Sequence, residues 1–250
     1  MIGADAVNAG PSLAKTPALE LVDVSRVFRQ GEHEVRAMDH VSLRLERGEF
    51  VALAGPSGSG KTTLLNVAGG LDRPDAGRVT VGGQDLGELS ADGLARLRLE
   101  HIAYVFQGYN LVPVLSAEEN AEFILLLRGV PRHERRARVR VLLEKVGLAG
   151  LEDRRPAQLS VGQQQRVAVV RAIVAEPTLV LADEPTANLD TATAGALLDV
   201  MEVLHHELRT TFLFSTHDPR VMERAHRLIR MRDGRIESDE PLAPVEHARG

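Results

Sequence analysis

The chain has 250 residues, and 30 Lys plus Arg against 35 Asp plus Glu give a formal charge of −5. That length supports one or two domains with sizeable cores, and 44% hydrophobic with 26% charged residues is globular usage, which excludes a disordered or fibrous chain. The lack of cysteine removes disulfides, thiolate metal sites and thiol nucleophiles together, and the acidic balance argues against a nucleic-acid partner.

Residues 1–17 are small, Ala/Gly/Pro-rich and aperiodic, and read as a flexible lead; residues 239–250 read as a flexible tail. The lead has neither the basic start nor the apolar core of a secretory signal. No apolar run nears the roughly 20 residues of a membrane span, so a cytoplasmic site of action is expected. Leu19, Leu21, Val22 and Val24 fit a strand, and Val41, Leu43 and Leu45 alternate with Ser42 and Arg44 as a half-buried strand does. Gly82-Gly83 and Asp233-Gly234 mark hairpins. Together these segments predict a small antiparallel layer on the N-terminal side.

Phe50 to Ala54, Leu179 to Ala182 and Thr211 to Phe214 are apolar on both faces, as strands of a helix-covered parallel sheet are. Between them, about residues 90–160, the pattern turns helical. Ser116 and Glu119 form a capping box for a helix to Arg128, and a second helix runs from Arg132 to Val146 with Val139, Leu142, Leu143 and Val146 inward. On that second helix Arg132, Arg135, Arg136 and Arg140 share one face, which reads as solvated. The predicted fold is α/β: a mostly parallel sheet with an antiparallel layer before it and a helical subdomain inserted in the chain.

The chemistry concentrates where buried strands end. Gly55-Pro56-Ser57-Gly58-Ser59-Gly60-Lys61-Thr62, then Thr63, follows one such strand and opens a helix, the setting of the phosphate loop G-x-x-x-x-G-K-[ST]. Glycines let successive N–H groups face a phosphate, and the helix N-terminus adds partial positive charge. Lys61 is one of only three lysines among the 30 basic residues, and it stands where a compact ammonium suits the β- and γ-phosphates. Thr62 is placed to ligate Mg²⁺. Asp183 ends the second strand at the ligand-binding edge and can hold the same ion, and Glu184 beside it can polarise a water as general base. His217 lies at the same edge within reach of a γ-phosphate. Gln107, closing the strand-like Ile102 to Phe106, can bridge Mg²⁺ and water without adding charge. Ser160 to Gln163 is a second capped helix start and so a second anion site, with Gly162 inside it.

As a set these segments resemble an ABC-type ATPase, a P-loop NTPase, over about residues 18–238. GPSGSGKT resembles the Walker A loop, LVLADE the Walker B strand with its catalytic Glu184, LSVGQQQR the ABC signature, Ala187 to Asp190 the D-loop, and Ser215-Thr216-His217 the switch histidine; Phe28 falls where the family stacks an aromatic on adenine. The resemblance implies ATP and Mg²⁺ as cofactors. It also implies a head-to-tail dimer with a second copy as partner, in which Ser160, Gly162, Gln163 and Asp190 of one subunit complete the ATP site of the other. An integral membrane permease would be the further partner, holding the ATPase at the inner face of the membrane. Val161 stands in place of the first glycine of LSGGQ, and a β-branched residue there requires ordinary helical or extended angles. Val35 to Ser42, Phe106 to Pro113 and Ala182 to Asp190 most resemble the macrolide-export, lipoprotein-release and cell-division types (MacB, LolD and FtsE). A soluble ABC ATPase of DNA repair or translation, or an ATP-binding regulator of a membrane partner, are the alternatives. The short stretch between Gln107 and Ser160 disfavours the first, and intact Lys61, Asp183, Glu184 and His217 disfavour the second.

Overall fold

The computed structural model describes residues 16–30 and 33–242. The expected lead therefore lies almost wholly outside the described residues, as do Lys15 and residues 243–250. The expected tail starts too early, because residues 239–241 complete a strand.

Two sheets organise the chain. In the first, β1 (Leu19–Gln30), β2 (His33–Leu45), β4 (Ala76–Val81) and β5 (Gln84–Asp85) pair in the order β2-β1-β4-β5, all antiparallel. The second is ordered β10-β9-β3-β8-β7-β6, from β10 (Arg235–Pro241), β9 (Arg227–Arg232), β3 (Phe50–Ala54), β8 (Phe212–Thr216), β7 (Leu179–Asp183) and β6 (Ile102–Val105). All its pairings are parallel except β9 with β10. The Asp233-Gly234 turn forms as expected, but its hairpin sits at the edge of the parallel sheet and not in the antiparallel layer. Its first strand, β9, pairs with β3, a residue set far back in the chain that a local pattern does not reveal.

The three continuous apolar runs are the central strands β3, β7 and β8, and every residue of β3 and β8 is buried. Side chains alternate between faces. Leu53, Leu181 and Leu213 pack with Leu64, Leu65 and Val67 of α1 (Lys61–Ala68) and with the antiparallel layer. Phe50, Phe212 and Phe214 point the other way, with ring centroids 4.5–5.5 Å apart, against α5 (Val161–Ile173) and α6 (Thr191–Leu208). Covered on both sides, these strands need no polar face.

The middle region holds α2 (Ala91–His101), α3 (Ala117–Leu127) and α4 (Arg132–Lys145), with β6 between the first two returning to the core sheet. Both predicted capping boxes form, Ser116 with Glu119 and Ser160 with Gln163. Val139, Leu142, Leu143 and Val146 are buried in the same cluster as β7 and β8, so the helical region shares the core of the sheet. Of the four α4 arginines expected on a solvated face, only Arg132 fits one, being exposed and without an ion pair among the described residues; the other three meet buried acids. Arg135 pairs with Glu122 at 3.2 Å, and Arg136 and Arg140 pair with Glu118 at 3.3 and 2.7 Å; both acids are buried on α3. An unpaired carboxylate at that depth would be costly, and the arginines offset that cost.

Candidate nucleotide site

Strand β3 delivers the chain into the loop 55–60, whose shape depends on missing side chains. A Cβ on Gly55 would lie 2.2 Å from the Met231 carbonyl oxygen; one on Gly60, at φ 103°, would lie 2.1 Å from that of Ala37. The loop is thus pressed between β2 and β9, and only glycine fits at its two ends. Gly60 caps α1 without a side chain, which leaves the first N–H groups of the helix turned outward. Lys61, mostly buried, donates through Nζ to the carbonyls of Gly55 (2.7 Å) and Pro56 (3.1 Å), folding over the loop it helps to form.

Above the loop opens a cavity of about 740 Å³, lined by residues that include Ser57 to Thr63, Phe28, Gln107, Glu184, Ser215 and His217. This volume falls in the range of ligand clefts. Thr62 Oγ1 donates to the Asp183 carboxylate at 3.2 Å, joining the start of α1 to the end of β7. His217 Nδ1 lies 2.9 Å from Glu184 Oε1, and an ionised Glu184 assigns the proton to that nitrogen. Glu184 itself adopts φ 47°, a left-handed conformation that costs a residue with a side chain, and its Oε2 is buried without a partner among the described residues. Strain and an unsatisfied oxygen at the mouth of a cleft are what a group poised for chemistry shows. Phe28 lines the rim, with the Arg26 guanidinium 4.7 Å over its ring.

The structure thus brings Phe28, the phosphate loop, Gln107, Glu184 and His217 to one cavity, with Asp183 against it through Thr62. It does not bring Ser160, Gly162, Gln163 or Asp190 there. Ser160 and Gln163 are tied to each other in the cap of α5 (2.9 and 3.3 Å). Asp190 caps α6 through the N–H groups of Ala192 and Thr193, and the Thr193 hydroxyl and backbone hydrogen bonds hold its carboxyl below the usual range. Gly162 has a packing reason as well: a Cβ there would lie 2.4 Å from Thr193 Cγ2, so the starts of α5 and α6 approach each other only without one. Val161 is the first helical residue of α5 and is not among the residues with positive φ, as its branching requires.

Three residues that carry the site were given no role of their own by the sequence, although Asn188 and Ser215 lie inside its motifs. Asn188 Nδ2 donates to the Gln107 carbonyl (3.0 Å), and Arg171 of α5 donates to the carbonyls of Tyr109 (2.7 Å) and Asn110 (2.6 Å), both left-handed. Burial pushes the Arg171 pKa down, and among the described residues its guanidinium pairs with no carboxylate and donates to those carbonyls instead. Ser215 is the third. Only a glutamine after a strand was visible; the groups that hold its loop come from distant elements.

A strand, a glycine loop, a helix start and an acid at the end of the neighbouring parallel strand define a P-loop nucleotide-binding fold. Residues 38–187 match the ABC transporter family. The chain is 50% identical over 89% of its length to the macrolide export ATP-binding/permease protein MacB of Hyphomonas neptunium, of which it spans 34%, about a third. It is 43% identical over 94% of its length, and 99% of the relative, to the lipoprotein-releasing system ATP-binding protein LolD of Chromohalobacter salexigens. Among solved structures, the dimeric ATP-binding cassette MJ0796 in a post-hydrolysis state bound to ADP and Pi superposes with TM-score 0.81 at 38% identity, covering 90% of this chain and 99% of that one. The protein belongs to the ABC transporter family, as an ATP-binding cassette of the type shared by MacB and LolD. No helix among the described residues is long and apolar enough to cross a membrane.

Proposed function

We propose that this cassette hydrolyses ATP to drive a separate integral membrane permease of the export or mechanotransmission type, at the inner face of the membrane. The observation that carries the reading is the Glu184–His217 pair at the mouth of a cavity floored by the phosphate loop. In this reading the outward N–H groups of residues 58–63 and the Lys61 ammonium receive the phosphates, and Phe28 stacks on the adenine. Glu184 accepts a proton from the attacking water, and His217 orients Glu184 and faces the γ-phosphate. Gln107 meets the same end of the nucleotide from the junction with the helical region.

Mg²⁺ fits the donor set. The Thr62 hydroxyl and the Asp183 carboxylate are hard oxygen donors 3.2 Å apart, and an ion that prefers one or two carboxylates plus phosphate oxygens suits them. Thr62, Asp183 and Gln107 would hold it, and when bound it offsets phosphate charge during transfer.

A second ATPase subunit, a homodimer partner, is proposed to present its Ser160, Gly162, Gln163 and Asp190 to this cavity. Support comes from the dimeric state of the related cassette MJ0796 and from the exposure of Ser160 and Asp190 away from the cavity of their own chain. The names of the relatives support a permease partner, since MacB is an ATP-binding/permease protein and LolD belongs to a lipoprotein-releasing system.

Phosphate release from purified protein with Mg²⁺ and ATP tests the reading. Glu184→Gln should retain nucleotide binding and lose about 10² to 10⁴ in turnover. Turnover equal to wild type would reject Glu184 as the base, and no phosphate release from the wild type would leave a regulator in place of an ATPase.

A further inference from the structure

Ser215 interrupts the apolar strand β8 directly after Phe212, Leu213 and Phe214. It is 0% exposed, and its Oγ finds no hydrogen-bond partner among the described residues. A valine or alanine would fill such a strand position without that cost. The serine's surroundings are informative. Two residues after Leu213, it shares the α1 face of the sheet, and its register partners on either side are Leu53 of β3 and Asp183 of β7. Its carbonyl receives the Glu184 N–H at 2.9 Å, and the residue is among those that line the nucleotide cavity, with Lys61 and Thr62. A buried, unpaired hydroxyl therefore stands in the row that carries Asp183, on the face where Thr62 meets that carboxylate.

We infer that Ser215 is a positioning residue for the metal–nucleotide complex, its hydroxyl hydrogen-bonding a water held between Asp183 and the bound cation. This rests on the proposal that Asp183 and Thr62 hold Mg²⁺. A hydroxyl suits the place because it can both donate and accept, turning toward whichever oxygen the filled site presents. Mg²⁺ gives up its waters reluctantly, so groups that order those waters set the concentration at which it binds. The cost of the unpaired hydroxyl in the empty protein is then recovered when the site fills.

The test measures binding of a fluorescent ATP analogue against Mg²⁺ concentration, with wild type, Ser215→Ala, Ser215→Thr and Asp183→Asn. Ser215→Ala should raise the Mg²⁺ midpoint by roughly three- to tenfold, the worth of one net hydrogen bond. Its affinity for the analogue in EDTA and its melting temperature without nucleotide should not fall. Ser215→Thr, which keeps the hydroxyl, should restore the midpoint. An unmoved midpoint in Ser215→Ala while Asp183→Asn raises it would overturn this inference and leave the metal site intact. An unmoved midpoint in both would remove the metal site itself. Equal weakening in EDTA and in Mg²⁺ would make Ser215 a packing residue and also overturn the inference.

Discussion

The nucleotide cavity and the signature corner are both built at helix starts, yet they differ in kind. At the cavity, α1 begins with a glycine that offers no cap, so its N–H groups remain open, and three buried oxygens, Ser59 Oγ, Glu184 Oε2 and Ser215 Oγ, lack partners among the described residues. At the corner, α5 and α6 begin with Ser160 and Asp190, which satisfy their own helices and do not line the nucleotide cavity. One region is an unfinished receptor with walls; the other is an exposed surface whose caps are satisfied. A receptor needs a ligand, whereas a surface of polar caps gains a role only when carried to another site. The proposed dimer joins the two.

The comparison breaks most sharply at Ser160. If the corner acts on the partner's nucleotide, Ser160→Arg should cut ATP turnover by about 10² to 10³, the scale of losing transition-state donors, while nucleotide binding measured on dilute monomer stays unchanged. Turnover near wild type would make the corner structural. Lys61→Met tests the other side. It should weaken nucleotide binding by roughly 10- to 100-fold through loss of charge-assisted hydrogen bonds, seen by titration calorimetry, with the corner and its caps untouched.

What the sequence disclosed follows the same division. The phosphate loop, Asp183-Glu184 and both capping boxes were legible because their meaning lies in residues one to eight apart. The α4 arginine stripe was visible by spacing, but its partners Glu118 and Glu122 sit on a helix whose packing only the tertiary fold fixes. The Asp233-Gly234 turn was legible and its sheet was not, since the turn is local and the pairing of β9 with β3 is not. Arg171 and Asn188 act through backbone carbonyls, which leave no trace in a side-chain pattern. Gly162 was read for its ligand, and its packing against Thr193 was hidden.

The smallest expected effect lies far from both sites, where burial lowers the pKa of His205 beneath Phe50 and Phe212. A depressed histidine leaves the folded chain binding fewer protons than the unfolded one, so stability falls as pH drops below about 6.5. Melting curves from pH 7.5 to 5.5 should therefore slope downward for wild type and less so for His205→Phe. A parallel slope in both would assign the acid sensitivity to another depressed histidine, such as His101, whose pKa burial also lowers. Asp218 acts only below this window: burial raises its carboxyl pKa, hydrogen bonds from Arg220 and Thr186 more than reverse the effect, and its contribution is lost as pH falls through the carboxylate range.

The pairing of walled receptor and exposed corner across two chains is tested most directly by sedimentation of Glu184→Gln at saturating ATP and Mg²⁺. The account predicts a dimer that forms with ATP, dissociates when ATP is removed, and is lost in Glu184→Gln combined with Ser160→Arg. A monomer at saturating ATP, or a dimer indifferent to Ser160→Arg, would contradict it.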